Sequence, residues 1–375
     1  MNIDLSRAKT IVVKIGTSLV TGSTGFDGRV LEEIVKELCR LKRERSLNLL
    51  VVSSGAVGCG MAALGMKERP KRLPLKQATA AVGQANLMHY YETLFRTYGE
   101  GLRSAQVLLS ASDLDNRGSY LNIRNTLHTL FALKSIIPII NENDSVSIEE
   151  LKFGDNDTLA ARVAAKIGAD LLIILSNVDG LYDSDPNRNS KARLITEVDA
   201  ITPELEASAG DTEEQISVGG MVTKLVAARI ASAAQVRTVI ANGRRPNILH
   251  DTLAGHGVGT TFYSSGDTLS QRKRWIAFGR SARGLIRVDD GARNALIKEG
   301  KSLLAAGITS VEGRFRMGDA VRVTDAENHD IARGLVNYSS EDIARIQGCK
   351  SAQIDAILGQ KHFDEVIHRD NMVVL

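Results

Sequence analysis

Short apolar runs alternate with amphipathic stretches along most of the chain, and that alternation restricts the fold more than any other feature. "TIVVKIG" (residues 10–16) reads as a buried strand, and residues 27–45 read as a helix with a charged face. "NLLVVSSGA" is the next strand. Helical patterns fill residues 75–97, "SAQVLLS" follows as a strand, and a helix is predicted around 119–134. "SIIPIINEN" is a strand, 157–167 a helix and "DLLIILSN" a strand; a helix over about 220–234 and the strand "RTVIANG" close the series. Strands that are apolar throughout and separated by helices describe an α/β fold, a mainly parallel sheet covered on both faces. In such sheets ligands gather at the carboxyl ends of the strands. Lys14 and Gly16, Ser53 to Gly55, Asn141 to Asp144, and Ser176 with Asn177 all fall at those ends.

The pattern changes near residue 265. "SSGDTLSQRKRWIAFG" is polar and then basic, as a linker is, and the glycine-punctuated short strands beyond it predict a small, mainly β domain. The expected organisation is a large domain over 1–265, a linker over 266–281, a small domain over 282–360 and a tail over 361–375. Net charge is +3, with 47 basic against 44 acidic residues, which gives no bulk attraction to nucleic acid or a membrane. Between 282 and 360 there are 11 Arg and Lys against 11 Asp and Glu, and Phe315 and Tyr338 are the aromatic residues there. RNA binding through that domain, which wants a basic face and exposed rings, is therefore the disfavoured alternative. Cys39, Cys59 and Cys349 are odd in number and widely spaced, which fits a reducing compartment. No signal peptide and no uninterrupted apolar span are found, so a cytoplasmic protein without a membrane segment is expected.

Several familiar signatures fail on inspection. "ALIKEGKS" has Ala295 where a Walker A loop needs its first glycine. "GCGMAA" spells the dinucleotide fingerprint, but no acid occurs between Glu68 and Glu92 to hold a ribose hydroxyl. "HRDN" at 368–371 resembles a protein-kinase catalytic loop with no DFG to accompany it. The seven histidines read as forming no metal cluster.

Two glycine turns survive. In "KIGTS", Lys14 leaves a strand and Gly16 lets the backbone approach a ligand; the alternative is a plain turn with a solvated lysine. In "SVGGMVTK" (217–224), Gly219 and Gly220 precede a helix whose predicted apolar stripe is Val222, Leu225, Val226 and Ile230, with Lys224 one turn in. Backbone N–H groups at such a start form an anion site, unless they serve only as a cap. Opposite these cations, "NENDSV" and "FGDNDTLAARVAAKIG" concentrate Glu142, Asp144, Asp155, Asn156 and Asp157. One such residue is ordinary helix capping; the surplus needs another purpose. The helix after them has Leu159, Val163 and Ile167 as its apolar face, with Ala160 and Ala164 beside them and Arg162 and Lys166 off it. Lysines and backbone dipoles would hold a nucleoside triphosphate, while the acids would hold an ammonium or, through waters, Mg²⁺. No histidine or Ser–His pair offers a general base near these loops. A carboxylate acceptor, already ionised at neutral pH, needs none.

The markers "VVKIGTS", "SSGAV", "AVGQ", "INENDSV", "FGDNDTLAA", "GLYDSDP", "GGMVTK" and "RKRWIAFG", in this order, resemble the amino acid kinase family, in its glutamate-phosphorylating bacterial branch. The C-terminal "VDDGARNAL", "GKSLLAAGI" and "GRFRMGDAVRV" are similar to a PUA domain. The resemblance implies a three-layer αβα sandwich plus a PUA domain. It also implies transfer of the ATP γ-phosphoryl to the side-chain carboxylate of L-glutamate, the first step of proline synthesis. Another acceptor within the family is the alternative.

By the same resemblance, Lys14 and Lys224 would contact the phosphates and be catalytic together with Asp157. Ser54, Asp144 and Asn156 would bind glutamate, and Asp155 would help position it. Lys14, Gly16, Ser176, Asn177 and the run Val218, Gly219, Gly220, Met221, Val222, Thr223 and Lys224 would border ATP, with Mg²⁺ accompanying it. Where the family commonly has Thr-Asp this chain has Ser176-Asn177, and Val218 stands where a threonine is frequent, so its side chain cannot hydrogen-bond. Feedback inhibition by L-proline, a homo-oligomer, and hand-over of the product to glutamyl phosphate reductase are further implications.

Overall fold

The structure, a computed structural model, describes residues 5–22, 25–146, 156–184, 186, 189, 191–202, 205, 220–263, 282–359 and 363–375. The chain divides into two compact units, Met1–Asp267 and Thr268–Leu375. In the first, strand β1 (Thr10–Ile15) leads through α1 (Arg29–Glu44) to β2 (Asn48–Ser53), and α2 (Ala56–Ala63) and α3 (Leu73–Tyr98) precede β3 (Arg103–Leu109). Then come α4 (Arg117–Ala132), β4 (Ile136–Glu142), α5 (Asn156–Ile167), β5 (Leu171–Ser176) and the short β6 (Glu197–Val198). Helix α6 (Met221–Ala233), β7 (Arg237–Asn242), α7 (Ile248–Ala254) and β8 (Thr260–Phe262) complete the unit. The sheet has eight strands in the order β6-β8-β7-β5-β1-β2-β4-β3. The β7–β8 pairing is antiparallel and the other pairings are parallel. This is the layered, mainly parallel α/β architecture that the sequence pattern predicts, and the elements fall where the apolar runs place them.

The strand order explains where a ligand belongs. From β1 the chain moves outward to β2, reaches the edge at β3, returns to β4, and then crosses to β5 on the other flank of β1. The carboxyl ends of β1 and β5 therefore form a topological switch point. Side-chain alternation then sorts the neighbours. Ile11, Val13 and Ile15 enter a core with Leu31, Leu38, Tyr91, Phe95 and Ile248 of α1, α3 and α7. Lys14, between Val13 and Ile15, points to the opposite face, where α5 and α6 pack.

Two of the glycines in familiar-looking motifs serve packing. A Cβ on Gly60 would lie 1.9 Å from the Thr79 carbonyl oxygen, and one on Gly83 would lie 1.8 Å from that of Ala56. The glycine spacing of "GCGMAA" thus lies inside α2 and lets α2 and α3 touch backbone to backbone. Gly300 of the false Walker A sequence has φ +61° and ends a helix, as glycine at a helix C-terminus commonly does.

The predicted faces of two helices need correction. In α6, Val222 is 48% exposed, and the buried residues are Lys224, Leu225, Ala227, Ala228 and Ala231. In α5 no polar side remains between Leu159 and Ala165, all of which are buried, and Ile167 is half-buried. Arg162, expected off the apolar face, is 9% exposed and ion-paired with Asp115. Lys166 donates to the Leu114 carbonyl and lies 4.5 Å from the Tyr120 ring centroid. The physical reason is size. Alanines on α5 and α6 let the two helices approach closely, so small residues take the buried stripe and Val222 and Val226 do not.

The second unit is a five-stranded sheet in the order Ile308–Gly313, Gly284–Val288, Ala320–Thr324, Asp330–Leu335, Met372–Val374. The helices Asp290–Glu299, Ser340–Ile346 and Ile354–Leu358 accompany it. Its core includes Ile286, Val321, Val323, Ile343 and Ile367. Met372–Val374 pairs with Ala332–Gly334, so residues read as a tail supply an edge strand. Cys39, Cys59 and Cys349 are free thiols; burial pushes Cys39 up to about 11 and Cys59 up to about 12. Among the described residues no helix is long and apolar enough to cross a membrane.

Gly83→Ala should destabilise the first unit by about 3 kcal/mol or more, because its methyl would meet backbone that cannot yield. Chemical denaturation checks this; a loss under about 0.5 kcal/mol, the range of neutral surface substitutions, would mean that the α2–α3 contact is not tight.

Candidate active site

Three segments far apart in the chain meet on one carboxylate. Asp157, in the first turn of α5, is 0% exposed. Its Oδ1 lies 2.5 Å from Nζ of Lys14 on β1, and its Oδ2 lies 3.3 Å from Nζ of Lys224 on α6. Both lysines are 3% exposed. The reading of Lys14 as a solvated turn residue is thereby excluded. Thr223 joins the group, its hydroxyl donating to the Gly220 carbonyl at 2.8 Å and lying 3.3 Å from Asp157 Oδ2.

Burying charge is costly unless it is paired. Two ammoniums on one carboxylate bring two cationic groups to the same point, which suits the approach of an anion. The start of α6 adds to it. Gly220 is extended at φ −69°, ψ −179° and has no side chain with which to cap the helix, and a helix N-terminus is the end that attracts anions. At the carboxyl end of β1, the Gly16 amide donates to the Leu175 carbonyl at 3.0 Å. A Cβ on Gly16 would stand 3.0 Å from that same oxygen and 3.8 Å from Lys14 Nζ. Glycine is needed here for closeness, since its φ of −70° is open to any residue. Ser176, 5% exposed, ends β5, and its hydroxyl donates to Asn177 Oδ1 at 3.3 Å; Asn177 itself is exposed.

Next to the cationic cluster lies a polar network that sequence reasoning saw only in part. Asn156 Nδ2 donates to the Ser53 carbonyl at 2.6 Å, Ser54 Oγ at 3.0 Å and Asn141 Oδ1 at 2.9 Å. With its nitrogen so committed, the Asn156 oxygen remains as an acceptor. Asn141 in turn donates through Nδ2 to Gln84 Oε1 at 2.8 Å and accepts the Glu142 amide at 2.9 Å. Ser53 Oγ is 2.9 Å from the Tyr91 hydroxyl, whose pKa burial raises. Asn141 was visible as a strand-end residue and Gln84 as part of "AVGQ", but no pattern assigned either to the site. Gln84 sits mid-helix on α3, and pairing across that distance has no local signal. Asp144 is half-buried, in the turn after β4.

The structure therefore joins Lys14, Asp157, Thr223 and Lys224 in one cluster and Ser54, Asn141 and Asn156 in another, the two linked through the adjacent Asn156 and Asp157. Gly16 and Ser176 lie at the switch point, and Gly220, Met221 and Val222 at the start of α6. Asp155, Val218 and Gly219 lie outside the described residues, as does the basic run Arg272 to Arg274.

Among the described residues no Mg²⁺ cage surrounds Asp157, whose two oxygens already meet ammoniums; a divalent ion there would face two cations. Elsewhere, Asp325, Glu327 and His329 form the one group among the described residues that brings metal-ligand atoms within 4.8 Å. Asp325 Oδ1 accepts the His329 amide at 2.8 Å and Oδ2 lies 3.7 Å from Arg293 Nε, as in a turn held by its own acid.

Comparison with known proteins agrees with this geometry. Residues 9–242 match the model of the amino acid kinase family, and residues 284–358 match that of the PUA domain. A glutamate 5-kinase of Geobacter sulfurreducens is 47% identical over 99% of this chain and 99% of the relative. One from Nostoc punctiforme is 49% identical over 98% of this chain and 100% of its own. One from Caldanaerobacter subterraneus is 47% identical over 97% of each. The chain thus belongs to the amino acid kinase family, among the glutamate 5-kinases that carry a C-terminal PUA domain.

Proposed function

We propose that the chain transfers the γ-phosphoryl group of ATP to the side-chain carboxylate of L-glutamate, giving L-glutamyl 5-phosphate for proline synthesis. The observation that carries this reading is the convergence of Lys14 and Lys224 on buried Asp157, beside an amide acceptor on Asn156. The triphosphate lies against Gly16, the run from Val218 to Lys224, and Ser176-Asn177. Its β- and γ-phosphates meet the two ammoniums. Glutamate sits on the other side. Its ammonium donates to Asn156 Oδ1 and the Asp144 carboxylate, and its α-carboxylate receives Ser54 Oγ and amides at the start of α2. Asp155 borders the same subsite.

The side-chain carboxylate is ionised at neutral pH, its ordinary pKa being about 4.3, so no base is required. Its oxygen attacks the γ-phosphorus in line. The new O–P bond forms as the bond to the β-phosphate oxygen breaks, and the electron pair leaves with ADP. Charge on the migrating group is balanced by Lys14, Lys224 and the α6 amides. Asp157 holds both ammoniums at the reacting centre. Mg²⁺ bound with the nucleotide would supply further neutralisation of phosphate charge beside Lys14 and Lys224. The reaction takes place in the cytoplasm, with L-proline as feedback inhibitor, in a homo-oligomer that passes its unstable product to glutamyl phosphate reductase.

The direct test is ADP release with glutamate, aspartate, N-acetylglutamate, carbamate and UMP in parallel, with hydroxylamine to trap an acyl phosphate. Glutamate alone should sustain turnover and hydroxamate formation; equal or faster turnover with another acceptor would overturn the assignment. Lys224→Ala should lower kcat by about 10²-fold or more, and an unchanged kcat would remove the ammonium from the reacting centre. Asn156→Ala should raise the KM for glutamate about tenfold or more while that for ATP moves little. Gln84→Leu should shift it in the same direction by less. Equal shifts in both KM values would show that the network does not distinguish the two substrates.

A further inference from the structure

A second concentration of cations lies on the other side of the sheet. Between α1 and the loop from β7 to α7 is a cavity of about 640 Å³ lined by Arg29, Lys36, Arg40, Arg43, Arg244 and Arg245, with Glu33 and Glu37 as its acids. Both α1 and α7 pack with Val13 and Ile15, whereas Lys14 points to the α5 and α6 face, so the α1 wall of this cavity lies across the sheet from the Asp157 cluster; its Gly243 and Arg244 wall meets the strand ends, the Gly243 amide donating to the Ser176 carbonyl at 2.8 Å.

The charges here are unevenly matched. Arg29 is held by Asp27 at 2.7 Å, Arg43 by Glu100, and Lys36 by Glu33 at 2.7 Å and Glu32 at 2.9 Å. Three arginines are placed differently. Arg40 Nη2 donates to the neutral Asn247 Oδ1 at 3.0 Å, and its Nε is buried without a hydrogen-bond partner among the described residues. Arg244 Nη2 donates to the Ser18 carbonyl at 2.9 Å. Arg245 approaches Asp251 no closer than 3.9 Å. Glu37, the buried acid of the lining, is directed elsewhere: its Oε2 accepts the Leu249 amide at 2.8 Å and the His250 amide at 3.4 Å. That capping bond ties α7 to α1 and fixes the cavity walls; Glu37 acts on Arg40 and Asp27 on Arg244 only at longer range, without a direct ion pair among the described residues.

Planar guanidiniums with unused N–H groups match the oxygens of a phosphoryl group, and the volume suits a small organic molecule. We propose that this cavity is a binding site for a small phosphorylated molecule, held by Arg40, Arg244 and Arg245, and distinct from the phosphoryl-transfer centre.

The test is calorimetric titration of the full chain with inorganic pyrophosphate, ribose 5-phosphate, sulfate and citrate, on the unsubstituted protein and on Arg40→Gln, Arg245→Gln and Lys224→Ala. Pyrophosphate or ribose 5-phosphate should bind at a site that each arginine substitution weakens about tenfold or more and that Lys224→Ala leaves intact, in addition to any binding at the Asp157 cluster that Lys224→Ala removes. The tighter of the two distinguishes a free oxyanion from a phosphoester as the natural source. Arg245→Gln breaks no hydrogen bond in the cavity wall, so a loss there is not a folding defect. Failure of both phosphates to bind, binding insensitive to both arginine substitutions, binding abolished by Lys224→Ala, or equal affinity for sulfate and citrate would overturn the proposal.

Discussion

Two ammoniums held on one fully buried carboxylate are the constraint to which the large unit is built. Isolated, any one of these charges would be driven to neutralise or to reach solvent. Together they are tolerable, but only where a strand end and two helix starts can be brought within a few ångströms. β1 lies inside the sheet with β2 and β5 as parallel partners, which fixes the height of Lys14. The first turn of α5 delivers Asp157, and the first turn of α6 delivers Lys224. The paired ammoniums suit this point to a phosphate, as the proposed reaction requires.

Alanine makes this convergence possible. Ala160, Ala161, Ala164 and Ala165 are buried on α5, as are Ala227, Ala228 and Ala231 on α6. Helices with such faces pack closely enough for Lys224 to reach a carboxylate rooted on the neighbouring helix. Larger residues on the same stripe would widen the gap and leave both charges partly unsatisfied. Gly60 and Gly83 do comparable work across α2 and α3. They hold α3 in place so that Gln84 reaches Asn141 and, through it, sets which way the Asn156 amide faces. The orientation of the Asn156 amide thus depends on a helix contact several residues removed from it.

Much of this was legible from residue order. Continuous apolar runs marked β1, β2, β4, β5 and β7, because strands covered on both faces have no solvent side to alternate with. Lys14, Asn156, Asp157 and Lys224 stood out because charged or amide side chains directly follow or interrupt apolar segments. The α6 stripe was misread for a reason in the same physics. A hydrophobicity pattern ranks valine above alanine, while helix packing at short distance favours the smaller side chain. Arg162 was placed outside because a lone arginine is ordinarily solvated; its partner Asp115 comes from a segment that no spacing rule connects to it. The Gln84–Asn141 pair was missed on the same ground.

The sequence by itself determined the layered α/β architecture, the second small β unit and the strand ends where chemistry collects, since these follow from hydrophobic periodicity and the distribution of glycine, both local properties. Which side chains share a carboxylate, which helix faces are buried and which cations remain short of acids were decided only by the tertiary structure. Those depend on distances between segments from about fifty to two hundred residues apart, and such distances are set by strand order and by the volume of the residues packed between them.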